Sequence, residues 1–391
     1  MKILRINIGL LGICLVCLIL LTACSIESAP IPAVFKATQQ AQQPAGKLIY
    51  LSEHALHEYD LATKTSTELK AASYYLQHSS TGFYLSLTPD ERVLLFDGYD
   101  PLIGCTTFRP IFSCTETGPN GFFTYDMTND WVNLIRPYTL SNISLSPDGS
   151  KLAFTVQEYD TTDYQVHLKL SSIEGGVPDA LSASHVVDSF PRWSPDGNWI
   201  AFYRAPSPDP DAEPCTPQPG LFDTCSDPYP SLYLIHPDHS GLTQVLTDIR
   251  LFYAPYNQSS WSYDSQTLAV IAGTPEPRVT FINVADGKTT TLEDIAPSSV
   301  PVWSPTARMA VFSTGGIDEL ESYLVLYEEV TASWRIIAHG GTPVWSPDGK
   351  WIAYLDKEAG QPNHLKVVSL DGEIIQDLDI SNVSAMPLWA K

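Results

Sequence analysis

The sequence repeats one phrase. The segment TPVWSPDGKWIAYLD, residues 342–356, is a near copy of FPRWSPDGNWIAFYR, residues 190–204. Related segments, with Trp or Leu at the anchor position, stand at Leu87, Leu145, Trp193, Trp261, Trp303 and Trp345. The last three anchors are 42 residues apart. Repetition at a period of about 40–45 residues indicates a chain built from stacked units, each of which buries a face against its neighbours.

Each copy has the local chemistry of a β-hairpin. The anchor residue ends a short strand, and Ser-Pro-Asp-Gly follows it as a turn. Proline presets φ, the aspartate accepts backbone hydrogen bonds, and glycine adopts the left-handed conformation. A second strand such as WIAF then returns antiparallel. A third strand, a polar turn such as VADGK and a short fourth strand complete the unit, which is the pattern of a four-stranded propeller blade.

The two ends of the chain predict how the ring closes. The repeat region opens at Gly46 with a second, third and fourth strand but no first strand. At the other end, residues 387–389 match residues 343–345 as a first strand that no blade follows. We therefore predict an all-β fold over residues 46–391, a seven-bladed β-propeller of four-stranded antiparallel blades whose first blade is closed by the C-terminal strand. Closure of this kind removes free sheet edges.

The N-terminal region predicts export and anchoring. Lys2 and Arg5 precede an apolar run, and Leu-Thr-Ala-Cys ends at Cys24. Residues 1–23 have the order of a secretory signal peptide and resemble the signal of bacterial lipoproteins, a resemblance that makes Cys24 the lipidated residue. Residues 24–45, rich in Pro, Ala and Gln, are predicted to form a flexible tether. The protein would then lie in the bacterial cell envelope, outside the cytoplasmic membrane or facing the periplasm, and meet the membrane through its lipid only.

Charge and cysteine spacing constrain partners and redox state. The formal net charge is −22, which disfavours nucleic acid as a partner because an acidic surface repels phosphate. Four cysteines of the repeat region form two local pairs, Cys105 with Cys114 and Cys215 with Cys225. Short, even pairs in an exported protein predict disulfides, whereas a zinc site favours closer doublets.

The Trp-Ser-Pro-Asp-Gly repeat, followed by a short apolar strand, resembles that of TolB-type, WD-repeat-like propellers. Similar repeats build the propeller domains of prolyl peptidases and of oligogalacturonate lyases. The resemblance covers residues 46–391 and implies a fold; it does not define an activity.

The search for chemistry finds no G-x-S-x-G, H-E-x-x-H, P-loop, G-x-G-x-x-G or EF-hand motif. Neither a metal site nor a cofactor is predicted. The connectors into the innermost strands carry aromatic, Arg and His side chains, the types that anchor partners. The predicted ligand-binding residues at the channel mouth are His185, Asp188, Arg250, Tyr253, Tyr256, Asn257 and His339. The alternative is that the tyrosines only fill the channel or pack beneath the cysteine loops.

Three functions fit these observations. The first is a non-catalytic, lipid-anchored extracytoplasmic propeller that binds an envelope protein, a peptide or a glycan. The second is a polysaccharide lyase of the oligogalacturonate lyase type, and the third is a scaffold subunit of an envelope complex. The sequence favours the binding protein because it lacks catalytic motifs and elaborates one face. The Pro-Asp-Gly turns lie on one face of the predicted disc, and both cysteine insertions fall between second and third strands on the other.

Overall fold

The structure is a computed structural model that describes residues 43–391 apart from 53–54, 77–84, 100–104, 109–110, 115–119, 137–139, 161–162, 183–185, 207–229, 248–259, 273–276, 316–321, 357–360 and 385–386. The described residues form antiparallel sheets of four strands and one short helix, α1 (Lys70–Leu76). The predicted signal peptide, Cys24 and most of the tether lie outside these residues. Within the described ranges, no helix is long and apolar enough to cross a membrane.

Sheets are numbered here in chain order. Sheet 1 consists of β1 (Lys47–Ser52), β2 (Ala55–Asp60), β3 (Thr65–Glu68) and β30 (Leu388–Ala390). Sheet 2 consists of β4 (Leu85–Leu87), β5 (Val93–Tyr99), β8 (Asn120–Asp126) and β9 (Trp131–Arg136). Between β5 and β8 the chain forms a separate hairpin of β6 (Cys105–Phe108) and β7 (Ile111–Cys114). Sheet 3 consists of β10 (Leu140–Leu145), β11 (Lys151–Asp160), β12 (Asp163–Ser172) and β13 (Gly175–Ala180).

The remaining sheets follow the same plan. Sheet 4 consists of β14 (Val186–Trp193), β15 (Ile200–Pro206), β16 (Ser231–Ile235) and β17 (Thr243–Leu246). Sheet 5 consists of β18 (Ser260–Trp261), β19 (Thr267–Ala272), β20 (Arg278–Asn283) and β21 (Thr289–Leu292). Sheet 6 consists of β22 (Val302–Trp303), β23 (Met309–Thr314), β24 (Tyr323–Glu328) and β25 (Ser333–His339). Sheet 7 consists of β26 (Gly341–Trp345), β27 (Trp351–Asp356), β28 (His364–Ser369) and β29 (Ile375–Ser381).

In sheets 2 to 7 the strands pair in chain order, so each of these sheets is an antiparallel meander; in sheet 1 the first position is taken by β30, which pairs with β1. A single parallel pairing of Val166 with Val187 joins sheets 3 and 4 into one eight-stranded sheet. The predicted all-β fold of four-stranded antiparallel units is confirmed. The count of seven blades in one ring stays a prediction.

The Ser-Pro-Asp-Gly turn is held by its own side chains. In sheet 7, the Ser346 hydroxyl donates to Asp348 Oδ1 (2.7 Å) and accepts from the Trp351 backbone N–H (2.9 Å). Gly349 has φ of 69°, where a Cβ would lie 2.1 Å from Thr306 Oγ1, so only glycine fits this turn. The turn therefore fixes the hairpin register from within the repeat.

The anchor tryptophans join neighbouring sheets. Three of the four anchor indoles donate to a backbone carbonyl of the preceding sheet: Trp261 to Arg192 (3.2 Å), Trp303 to Ser260 (3.2 Å) and Trp345 to Val302 (2.8 Å). The rings of these three are buried in apolar clusters that lie between successive sheets. The fourth, Trp193, has a buried indole nitrogen with no hydrogen-bond partner among the described residues, so the shared role of the anchors is packing.

The C-terminal strand belongs to sheet 1, as predicted. Strand β30 pairs with β1 antiparallel, and Trp389 lies opposite Leu48. The Trp389 indole N–H donates to the Ala45 carbonyl (2.9 Å), and its ring packs in a core cluster shared with sheet 7. The two ends of the repeat region therefore complete one sheet.

Helix α1 was not predicted by the repeat. It follows β3 and places Ala72 in the core between sheets 1 and 2. The Ser73 hydroxyl accepts from the Leu56 backbone N–H (2.9 Å) and donates to the Leu69 carbonyl (3.0 Å), which ties the helix to β2. A helix this short carries little hydrophobic periodicity, so tertiary contacts define it.

Candidate functional site

One face of the sheets carries the insertions. We call it the loop face: the side on which each second strand ends and each third strand begins. The elaborated connections there are the hairpin of β6 and β7 in sheet 2, the long β11–β12 hairpin in sheet 3, and the segment between β15 and β16 in sheet 4. The opposite face carries the Ser-Pro-Asp-Gly turns. Loops on a rigid scaffold bind partners more often than the scaffold does, so the loop face is the candidate binding surface.

The cysteine hairpin has a register that suits a disulfide. Cys105 lies directly opposite Cys114 in the antiparallel pairing of β6 with β7. Cα atoms of directly opposed residues in antiparallel strands are about 4.5–5.5 Å apart, within the range of Cα separations that disulfides span. Cys215 and Cys225 lie outside the described residues. Both bonds stay predictions.

A polar cluster occupies the loop face where sheets 6 and 7 meet. It consists of His339 at the end of β25, Asp356 at the end of β27, His364 and Lys366 in β28, and Asp377 in β29. Asp356 is its centre. Its Oδ1 lies 2.8 Å from His339 Nδ1, and its Oδ2 accepts from Lys366 Nζ (2.6 Å). The cluster thus links two sheets through one carboxylate.

Asp356 is held ionised by its partners. Its side chain is mostly buried, and burial alone would raise its pKa. Hydrogen bonds from Lys366 and His339 outweigh burial, so the pKa of Asp356 lies below its usual value. The charge of Lys366 is accordingly compensated inside the cluster at neutral pH.

A cavity opens beside this cluster. It has a volume of about 290 Å³ and is lined by Asp356, Gln361, Pro362, His364, Lys366 and Asp377. Ligand cavities commonly measure about 300–1,000 Å³, so this one has room for a single unit of a longer ligand. Its lining is mainly polar, which favours a ligand recognised by charge and hydrogen bonds.

Two groups in the cavity wall are incompletely paired. His364 Nδ1 is buried and has no hydrogen-bond partner among the described residues. Asp377 Oδ2 lies 3.5 Å from this nitrogen and 3.9 Å from Lys366 Nζ, beyond good hydrogen-bond distance in both directions. The other oxygen of Asp377 accepts from the Asp379 backbone N–H (2.9 Å). Asp377, whose side chain is exposed, is therefore the group that can meet a ligand in the cavity, whereas His364 Nδ1 is closed to solvent.

Asp188, predicted to bind ligand, has a different environment. Its side chain is fully buried and forms a two-pronged ion pair with Arg204 (Nε–Oδ1 2.7 Å, Nη2–Oδ2 2.9 Å). The Ser182 hydroxyl also donates to Asp188 Oδ2. The Arg204 guanidinium in turn lies over the rings of Phe202 (4.9 Å) and Tyr233 (5.4 Å). Asp188 thus holds β14, the first strand of sheet 4, against β15, and it is not part of the proposed ligand site.

His339 is the predicted site residue that the structure places in the polar cluster. The adjacent Gly340 makes room for the chain itself, because a Cβ there would lie 2.5 Å from the Leu355 carbonyl oxygen. The other predicted ligand residues, His185, Arg250, Tyr253, Tyr256 and Asn257, lie outside the described residues. Their convergence with His339 stays a prediction.

The sequence analysis missed Asp356, His364, Lys366 and Asp377. No motif joins them, because register brings them together: Asp356 lies opposite His364, and Lys366 lies opposite Asp377. A usable signal was present, since Asp356 sits five residues after Trp351 at the loop-face end of a strand. Across the part of the chain that the structure describes, no group of three or more His, Cys, Asp or Glu is placed to hold a metal ion.

Four-stranded antiparallel meanders that follow one another along the chain, with tryptophan wedges between them, define a β-propeller. The predicted propeller fold is confirmed by comparison with solved structures. An oligogalacturonate lyase in complex with manganese is similar at a TM-score of 0.55 and 15% identity, covering 81% of this chain and 82% of that one. A puromycin-hydrolysing peptidase from Mycobacterium tuberculosis is similar at 0.52 and 13% identity, covering 82% of this chain and 51% of the peptidase.

A TolB protein from Acinetobacter baumannii is also similar, at a TM-score of 0.45 and 12% identity, over 94% of this chain and 89% of TolB. No protein-family model and no curated protein sequence match the chain. At identities this low, the TM-scores of 0.55 and 0.52 show a shared fold alone, and function has to be argued from the site itself.

Proposed function

We propose that the protein is a lipid-anchored extracytoplasmic β-propeller that binds a protein, peptide or glycan partner on its loop face and does not catalyse a reaction. The observation that carries this proposal is the polar cavity at sheet 7, which lies on the same face as the β6–β7 hairpin. Its polar groups are arranged for recognition: a neutralised Lys–Asp pair, an available carboxylate oxygen and an amide.

The anchor is part of the proposal and rests on the sequence. Cys24 carries the lipid, and residues 24–45 let the propeller stand off the membrane. A tethered binding module gains effective concentration for partners in the same envelope, because the tether keeps it within reach of them. This arrangement suits a protein whose loop face has to find a partner near the membrane.

A matched pair of glutamines tests the binding face. Gln361 lines the cavity on the loop face, whereas Gln266 is exposed in a turn on the opposite face. A photo-crosslinking amino acid introduced at either position in the full-length protein reports what lies within a few ångströms in the native envelope. We expect discrete adducts from position 361 and none from position 266.

Equal labelling from both positions, or labelling from position 266 alone, would contradict the proposal, because the partner would then not select the loop face. The scaffold alternative predicts a third pattern, in which both faces form discrete adducts with different proteins. The lyase alternative rests on the fold that this chain shares with the oligogalacturonate lyase, and a separate assay of lyase activity tests it.

A further inference from the structure

The formal charges around the cavity do not cancel. Asp356 and Asp377 are two carboxylates, and Lys366 is the one lysine or arginine among the residues that line the cavity. Lys366 Nζ lies 2.6 Å from Asp356 Oδ2 but 3.9 Å from Asp377 Oδ2, so its charge mainly compensates that of Asp356. Two carboxylates against one lysine leave the lining with one net negative charge, centred on Asp377.

The exposed position of Asp377 makes that charge accessible. Its side chain is 39% exposed, and its Oδ2 faces the cavity group whose Nδ1 lacks a hydrogen bond. An ammonium or guanidinium group at this point would donate to Asp377 Oδ2. An anion would instead meet two carboxylates, with Lys366 already committed to one of them.

The net charge of the whole protein also favours a positively charged ligand. A net charge of −22 attracts cations at long range and raises their encounter rate with the cavity. The cavity volume of about 290 Å³ suits one long side chain rather than a folded segment.

From these observations we infer that the cavity binds a basic side chain, arginine or lysine, of a protein or peptide partner, with Asp377 as its counter-ion. This inference rests on the proposed function and names the ligand chemistry of the same site. Lys366 then acts as a built-in competitor, since its charge reduces the attraction of Asp377 for an incoming cation.

The test uses a labelled glycine-rich peptide with one central arginine, and the same peptide with citrulline, the neutral isostere. Fluorescence anisotropy with the full-length protein in detergent measures both affinities. Charge-assisted hydrogen bonds are roughly twice as strong as neutral ones, so we expect the citrulline peptide to bind about tenfold more weakly. For Asp377→Asn we expect about a fivefold loss of arginine-peptide affinity, the scale of a partly exposed ion pair.

Lys366→Gln provides a test of sign. For a cationic ligand, removal of the competing charge raises affinity, by about twofold to threefold at surface-like dielectric. For a neutral hydroxyl ligand, removal of a donor lowers affinity or leaves it unchanged. Asp286→Asn removes the same charge from an exposed turn on the opposite face and is expected to leave binding unchanged, which accounts for long-range attraction.

Equal affinity for the arginine and citrulline peptides, or an unchanged affinity in Asp377→Asn, would overturn the inference. So would weaker arginine binding in a folded Lys366→Gln variant. If Lys366→Gln lowers the melting temperature markedly, the peptide pair and Asp377→Asn still decide. Adducts that persist at position 361 while these binding tests fail would leave the proposed function standing and remove only the cationic ligand.

Discussion

Trp389→Ala is expected to lower the free energy of unfolding by about 3–5 kcal/mol, the usual cost of truncating a buried tryptophan. The ring is 9% exposed and packs with Leu48 and with residues of sheet 7. The substitution also leaves the Ala45 carbonyl without the indole donor that lies 2.9 Å away. Urea unfolding followed by fluorescence measures the change.

A second tryptophan provides the control. Trp131, at the start of β9, is 69% exposed, so Trp131→Ala is expected to change stability by no more than about 0.5 kcal/mol. Deletion of residues 385–391 removes β30 altogether and exposes the edge of β1, so we expect a larger loss and a tendency to aggregate. Similar stabilities for the Trp389→Ala and Trp131→Ala variants would show that the C-terminal strand does not close sheet 1.

The second large effect is expected at the buried ion pair of sheet 4. Asp188→Ala leaves the Arg204 guanidinium, 13% exposed, without its counter-ion, and breaking a buried pair in this way typically costs about 3–5 kcal/mol. The Ser182 hydroxyl loses its acceptor in the same variant. The measurement is again the free energy of unfolding.

Two further variants test whether the loss of stability comes from a buried charge left without its partner. The double substitution Asp188→Leu with Arg204→Met removes both charges together and is expected to recover most of the loss, because apolar replacements of buried pairs are often neutral. Asp286→Ala breaks an exposed pair with Lys288 and is expected to cost far less, because solvent screens exposed ion pairs. Equal costs for Asp188→Ala and Asp286→Ala would contradict the structural role of Asp188.

The repeat made the fold predictable because its chemistry is local. The turn Ser346–Gly349 closes on its own side chains, and the anchor tryptophan adds one wedge per unit. The match between residues 387–389 and 343–345 then predicted the shared sheet. Helix α1 was not predicted because its seven residues are defined by contacts with β2 and sheet 2 and show no hydrophobic periodicity of their own.

The site was less predictable because a β-bulge sets which residues of neighbouring strands lie opposite each other. Counting back from the Ser-Pro-Asp-Gly turn of sheet 4 without a bulge would pair Arg204 with Ser189. Phe190 has φ of 52°, and the register shifts between Ser189 and Arg192, which brings Asp188 opposite Arg204. A one-residue slip exchanges the side chains on each face. Thr342 in sheet 7 has φ of 51° at the matching position, so the bulge is part of the repeat.

The polar cluster illustrates the same limit. His339 comes from sheet 6, Asp356 and Lys366 come from neighbouring strands of sheet 7, and Asp377 comes from its outermost strand. Only pairing across three strands and one sheet boundary brings them together. The sequence alone predicted the face that carries the loops and one cluster residue, His339. The other residues of the cluster are brought together by strand pairing, which one sequence does not reveal.

We propose that this propeller recognises a partner and does not turn over a substrate. Incubation of the purified full-length protein with oligogalacturonate and added manganese, with the unsaturated product followed by ultraviolet absorbance, tests this proposal against the activity of the structurally similar lyase. We expect no product above the rate without protein. Manganese-dependent formation of unsaturated product would contradict it.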